Sequence, residues 1–257
     1  MILAIALAAA LAPSDVVAVR ATDYAIALPA QIPAGLVTFS FENNGSEPHY
    51  VRFVRIAAGR STADFVAWQK AGGAIPEWLE SSGGVGPLAP GLKEEFTISL
   101  AAGKYIALCS YPSKDGGAPH LEKGMYAPVD VGPSVSGAKP PAEDLTLTMH
   151  DHGFQLTAPI SGGPARWRIH NNGSEPHQAL IVRLPEGVTE WQERTWLNGG
   201  RAPRSGIPVG GIVELDADAD AWIAVDLKAG QYILICSMLE QEGRHFDLGM
   251  IYRFTIE

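Results

Sequence analysis

Eight side chains in this chain could share a soft metal ion, and they fall into two sets of the same order. His49, Cys109, His120 and Met125 form the first; His177, Cys236, His245 and Met250 form the second. Each set reads His, Cys, a loop, His, four residues, Met, with Gly directly before the Met. Two imidazoles and a thiolate in a trigonal arrangement, with a weak axial thioether, suit a copper ion that cycles between Cu(I) and Cu(II). The soft sulfurs hold Cu(I), and imidazole serves both states, so one electron can move with little rearrangement. Taken singly, each residue has a plainer reading. A His before a strand is a turn residue, a Cys at a strand end is a small buried hydrophobe, and a loop Met is packing. The same four types in the same order, twice, favour the metal.

The repetition extends well beyond these residues. Residues 43–49 and 171–177 both read NNGSEPH, and AAGKYIALC (101–109) answers KAGQYILIC (228–236). Alternation of apolar and polar residues predicts strands at Val37–Phe41, Tyr50–Ile56, Glu95–Leu100 and Tyr126–Val131. Their counterparts are Arg166–His170, Gln178–Val182, Ala221–Leu227 and Ile251–Ile256. Each NNGSEPH is a loop rich in turn chemistry that delivers its His to the next strand. Ser61 or Thr62 can cap a short helix over Ala63–Lys70, with Phe65 and Trp68 on one side. A second helical piece is expected over Val188–Leu197. Gly-rich stretches are expected as loops leading into Glu95–Leu100 and Ala221–Leu227. PSVSGAKPPAE (133–143) reads as a linker between domains at 15–132 and 144–257. Many short strands in a repeated order predict an all-β protein of two tandem sandwiches, each with a short helical insertion.

With 46% hydrophobic and 18% charged residues the composition is globular. A net charge of −9 without a Lys/Arg run speaks against nucleic acid or an anionic membrane as partner. Residues 1–12, MILAIALAAALA, resemble a secretory signal peptide, so the mature chain is expected outside the cytoplasm, periplasmic or secreted, and not inserted in a membrane. In an exported chain two cysteines raise the question of a disulfide. A bridge between Cys109 and Cys236 would need equivalent ends of both sandwiches within about 7 Å. No Ser-His-Asp arrangement with a nucleophile elbow, no phosphate-binding loop and no dinucleotide fingerprint is present.

Each half resembles a cupredoxin, the plastocyanin-like Greek-key sandwich that holds type 1 copper. The resemblance rests on VTFSFENNGSEPH, on Gly-x-Tyr-x-x-x-Cys in GKYIALC and GQYILIC, and on His-x-x-x-x-Met with Gly before Met. It covers nearly all of each half, and Cys-x8-His-x4-Met in the second half has the spacing of the type 1 domain of copper nitrite reductases. It implies one copper held by His49, Cys109, His120 and Met125 and another held by His177, Cys236, His245 and Met250. It implies electron transfer with a redox partner protein. Two departures stand out: Tyr50 or Gln178 follows the first His where plastocyanins commonly have Asn, and the Cys109–His120 loop is ten residues long. Multicopper oxidases need several His-x-His pairs; the chain has one, His150 and His152, which on a strand would share a face as half of a second metal site or as a plain polar face. Copper nitrite reductases place His before the Cys, where this chain has Leu108 and Ile235. The resemblance therefore implies a carrier and not an enzyme. A copper carrier or buffer, and a metal-free sandwich used for binding, are the other readings. His170 alternates with Arg166 and Arg168 and is expected to face solvent.

Overall fold

A computed structural model describes residues 16–134, 139–188, 192, 206–240 and 243–257. The expected leader lies outside these residues, as do part of the linker and most of the second helical piece. The first half runs β1 (Val17–Thr22), β2 (Ala25–Ala27), β3 (Gln31–Asn43), β4 (His49–Ile56), α1 (Thr62–Ala71), β5 (Leu79–Leu88), β6 (Lys93–Leu100), β7 (Gly103–Leu108) and β8 (Tyr126–Ser134). The second runs β9 (Leu145–His150), β10 (Gly153–Leu156), β11 (Gly163–Asn171), β12 (His177–Leu184), β13 (Ile207–Leu215), β14 (Asp220–Leu227) and β15 (Gly230–Ile235). A two-residue ladder, β16 (Leu239–Glu240) with β17 (Gly243–Arg244), precedes the last strand, β18 (Ile251–Ile256).

The two halves repeat one topology. Each is a sandwich of two sheets, ordered β2-β1-β3-β6 against β8-β7-β4-β5, and β10-β9-β11-β14 against β18-β15-β12-β13. Alternating burial along β4, with Val51 and Phe53 inside, is the half-buried pattern that sequence alternation anticipates. β7 is buried on both faces. Tyr105 and Ala107 enter the sandwich core, while Ile106 and Leu108 meet Phe65 of α1 on the outer face. Ser61 caps α1 through a capping box with Asp64. The helix thus covers the apolar outer face of the cysteine-bearing strand, a role its sequence does not announce. In the second half Phe246 packs on the equivalent residues Ile233 and Ile235.

The Gly-rich stretches are strands, not the expected loops. They form β5 and β13, which pair antiparallel with each other; β6 and β14 do the same, so both sheets continue across the junction. The glycines explain both the misreading and the seam. A Cβ on Gly84 would collide with the Val51 carbonyl, one on Gly211 with that of Ala179, and one on Gly86 with the Gly210 backbone. Bare backbone is required where bulged strands approach this closely. Register aligns Val51, Val85, Ile212 and Ala179 across β4-β5-β13-β12, so β4 and β12 run in opposite directions. The ligand-bearing ends of the sandwiches therefore point opposite ways, and Cys109 and Cys236 are free, each buried in its own half. Among the described residues no helix is long and apolar enough to cross a membrane.

Candidate metal centres

The NNGSEPH motif builds a rigid loop, and nearly every residue in it has a structural task. The buried Asn43 amide donates to the Glu47 and Leu88 carbonyls, both at 2.8 Å, while its Oδ1 accepts from Gly45 N at 2.9 Å. Asn171 repeats this with Glu175, Leu215 and Gly173. Gly45 and Gly173 are the residues beneath which Asp and His side chains meet, since a Cβ there would strike both. Ser46 donates from N and Oγ to Asp23, as Ser174 does to Asp151. The carboxylate so fixed accepts from the His ring: His49 Nε2 reaches Asp23 Oδ1 at 3.1 Å, and His177 Nε2 reaches Asp151 Oδ1 at 3.0 Å.

The other ligand residues arrive from the loop after β7 or β15. Cys109 N donates to Met125 O, Met125 N to His120 O, and His120 N to Tyr111 O. The second half makes the same three bonds among Cys236, Met250, His245 and Met238. The difference in loop length, ten residues against eight, is confined to the segment between Tyr111 and His120, or Met238 and His245. The longer loop closes on itself through Ser113 Oγ and the Ala118 carbonyl; the shorter one uses the β16–β17 ladder.

At each site the imidazoles face each other through Nδ1. The separation is 3.0 Å for His49 and His120 and 3.0 Å for His177 and His245. Cys109 Sγ lies 3.7 Å from His120 Nδ1 and Cys236 Sγ 3.4 Å from His245 Nδ1. The three donor atoms of each set lie within 4.8 Å of one another. Met125 and Met250 are fully buried and tied to the same His and Cys backbone. Burial pushes both thiols up to about 11, against the pull of backbone amides at Tyr50 and Tyr111 on Cys109 and at Met238 and Gln178 on Cys236. Burial likewise lowers His49 and His177, favouring neutral rings, although the aspartates oppose it. Asp151 drops to about 2 through the His177 bond and Ser174. Asp23 reaches about 2 through Ser46 and His49, in spite of burial.

This donor set fits a copper ion. A carboxylate only accepts, so Asp23 and Asp151 accept a hydrogen bond from the Nε2–H of His49 and His177, leaving an Nδ1 lone pair turned inward. Glu47 does the same for His120, at 3.3 Å. Two lone pairs held 3.0 Å apart beside a buried thiol repel unless a cation lies among them.

The two sites differ at their outer edge. In the first, Glu47 is buried and accepts from Tyr24 OH at 3.0 Å and Lys114 N at 2.6 Å; Tyr24 packs edge-on to the His120 ring. In the second, the counterpart Glu175 is exposed, and it and Glu240 lie 3.9 and 3.7 Å from His245 Nε2. His150 ends β9 and His152 lies in the turn after it, so the His-x-His pair does not share a strand face. The residue between them, Asp151, is the one that meets His177. His170 is half-buried against Asp220, at 3.0 Å, instead of facing solvent. Asp23, Asp151, Glu47 and Glu175 escape a search for ligand types. The signal that finds the aspartates is their constant offset of 26 positions before each first His.

No protein-family model matches the chain, and no curated protein sequence matches it. Among solved structures it is similar to auracyanin from Roseiflexus castenholzii, with 22% identity over 45% of this chain and 95% of that one, at a TM-score of 0.32. Auracyanin A from Chloroflexus aurantiacus gives 20%, 46% and 98%, at 0.32. The copper nitrite reductase of Nitrosomonas europaea gives 16% identity over 93% of each chain, at 0.26. One strand order is present twice, each time with a buried His-Cys-His set, as the cupredoxin resemblance implies.

Proposed function

We propose that this protein carries electrons through one type 1 copper in each half. The observation that carries the reading is the pair of buried imidazole Nδ1 atoms 3.0 Å apart beside a buried cysteine, with each first His tied through Nε2 to an aspartate, built twice. Copper bound there would supply a one-electron couple. His49, Cys109, His120 and Met125 would hold one ion, and His177, Cys236, His245 and Met250 the other. The chain's contribution is to keep the donors in place through a redox cycle. The aspartates fix the ring tautomer, amides donate to the sulfur, and burial excludes water. Leu108 and Ile235, which precede the cysteines, offer no link to a second catalytic metal, which supports a carrier without a reaction of its own. The apolar residues 1–12 support export, with a redox partner protein outside the cytoplasm.

The test is a visible spectrum on Cu(II) addition with bound copper counted. Two coppers per chain, an intense thiolate-to-copper band and slow loss to a competing chelator are expected. Copper that leaves within minutes would make the protein a copper donor instead, and no band with no bound copper would end the proposal.

A further inference from the structure

Three of the four imidazoles at the metal centres use their outer nitrogen on a carboxylate within hydrogen-bond distance: His49 at 3.1 Å, His177 at 3.0 Å and His120 at 3.3 Å. His245 does not. Its residue is 3% exposed, and its Nε2 lies 3.7 Å from Glu240 Oε1 and 3.9 Å from Glu175 Oε2, both beyond a hydrogen bond. Those three donor atoms nevertheless lie within 4.8 Å of one another.

Comparison of the halves shows that this gap is particular to the second. The repeat aligns Glu175 with Glu47, His152 with Tyr24 and Leu248 with Lys123. In the first half Glu47 is closed off by Tyr24 OH at 3.0 Å and Lys114 N at 2.6 Å, and Lys123 Nζ donates to the same tyrosine at 3.0 Å. The second half lacks that hydroxyl and that ammonium, and it adds a second carboxylate, Glu240, from the β16–β17 ladder. Among the described residues no Lys or Arg pairs with Glu175 or Glu240. His152 stands at the same rim, exposed, with its carbonyl where a Cβ on Gly249 would strike it.

A buried ring nitrogen without a partner, facing two carboxylates without a cation, is a ligand set for a divalent ion. Zinc binds imidazole nitrogen and carboxylate oxygen at about 2.1 Å, which puts two donors about 3.4 Å apart at a tetrahedral angle and farther at wider ones. Separations of 3.7 and 3.9 Å fit one ion between them, and Glu175, being exposed, is free to close in. We infer that His245 Nε2, Glu240 and Glu175 form a separate site for a divalent cation of the zinc type, on the outer side of the second centre only. The ion takes the place of the Nε2 proton, which passes to solvent. The site uses only the outer nitrogen of His245, so it stands whether or not the inner centres carry electrons.

The test uses the full chain, reduced and treated with excess Cu(I), which prefers sulfur donors to carboxylates. It is dialysed against buffered Zn(II), and bound zinc is counted. The parent should hold one more zinc per chain than Glu240→Gln, with Glu175→Gln binding it at least tenfold more weakly than the parent. Both side chains lie at the surface, so the melting temperature without zinc should stay unchanged. In the 15N-labelled parent, zinc should shift the His245 Nε2 resonance and leave that of His120 in place. Equal zinc in parent and both variants would overturn the inference. So would zinc that leaves the His245 ring untouched, which would mean an adventitious ion only. Because the count compares parent with variant, it holds even if no copper binds; that result would end the electron-transfer reading and not this one.

Discussion

His177 donates from Nε2 to Asp151 at 3.0 Å, and this one bond decides which nitrogen of the ring faces the cysteine. The same bond joins His49 to Asp23 at 3.1 Å. Ser174 and Ser46 hold the carboxylates from the other side, so ring and acid form a fixed unit. Carboxylate partners of this kind set ligand orientation and basicity.

Asp151→Asn and Asp23→Asn should therefore each weaken copper binding roughly 10–100-fold at the site concerned. Competition titrations against a chelator measure this, with the other site as internal control. An unchanged affinity would show that packing alone orients the ring.

Cys109→Ser and Cys236→Ser should each remove one bound copper and about half of the thiolate-to-copper absorbance, leaving the other half unaltered, because each donor set is enclosed in its own sandwich. Loss of the whole band from one substitution would mean that the sites assemble together.

The seam depends on backbone without side chains. Gly211 has φ +110 and its missing Cβ faces the Ala179 carbonyl. Gly211→Ala should destabilise the protein by about 2 kcal/mol or more. Gly73, which has a matching positive φ of +111 but open space around it, isolates the strain component when substituted the same way. Denaturant unfolding of both variants separates the collision from the strain; equal losses would rule out close approach as the reason for the glycine.

Glu94 is 3% exposed on the same seam, and among the described residues only the Gly211 amide, at 3.1 Å, bonds to its carboxylate. Burial holds its pKa well above the ordinary carboxylate range. A raised acid favours the fold fully below the unfolded pKa, and this contribution is lost as pH rises from there through the folded value. Glu94→Gln should thus match the parent in thermal stability near about pH 4 and exceed it increasingly toward neutrality. A difference in melting temperature that stays constant with pH would exclude a titrating Glu94.

Much of this architecture was legible in the sequence because it is local. Alternation along Val37–Phe41 and Tyr50–Ile56 is a property of single strands. Ser61 and Asp64 cap their own helix. The repeat of NNGSEPH and of Gly-x-Tyr-x-x-x-Cys announces two copies of one unit, and the four donor types in each can be counted without a structure. Asp23 and Asp151 were not legible, because a carboxylate 26 positions before a His becomes its partner only when β1 and β9 lie beside the loop.

The chain by itself determined which residues could ligate and that they come in two equivalent sets. Tertiary structure alone decided that SSGGVG and VGGIVEL are paired strands and that the ligand ends point opposite ways. Glycine in sequence signals only freedom. Whether that freedom becomes a loop or the close meeting of two backbones depends on which other strand arrives, and that contact is made only in the folded chain.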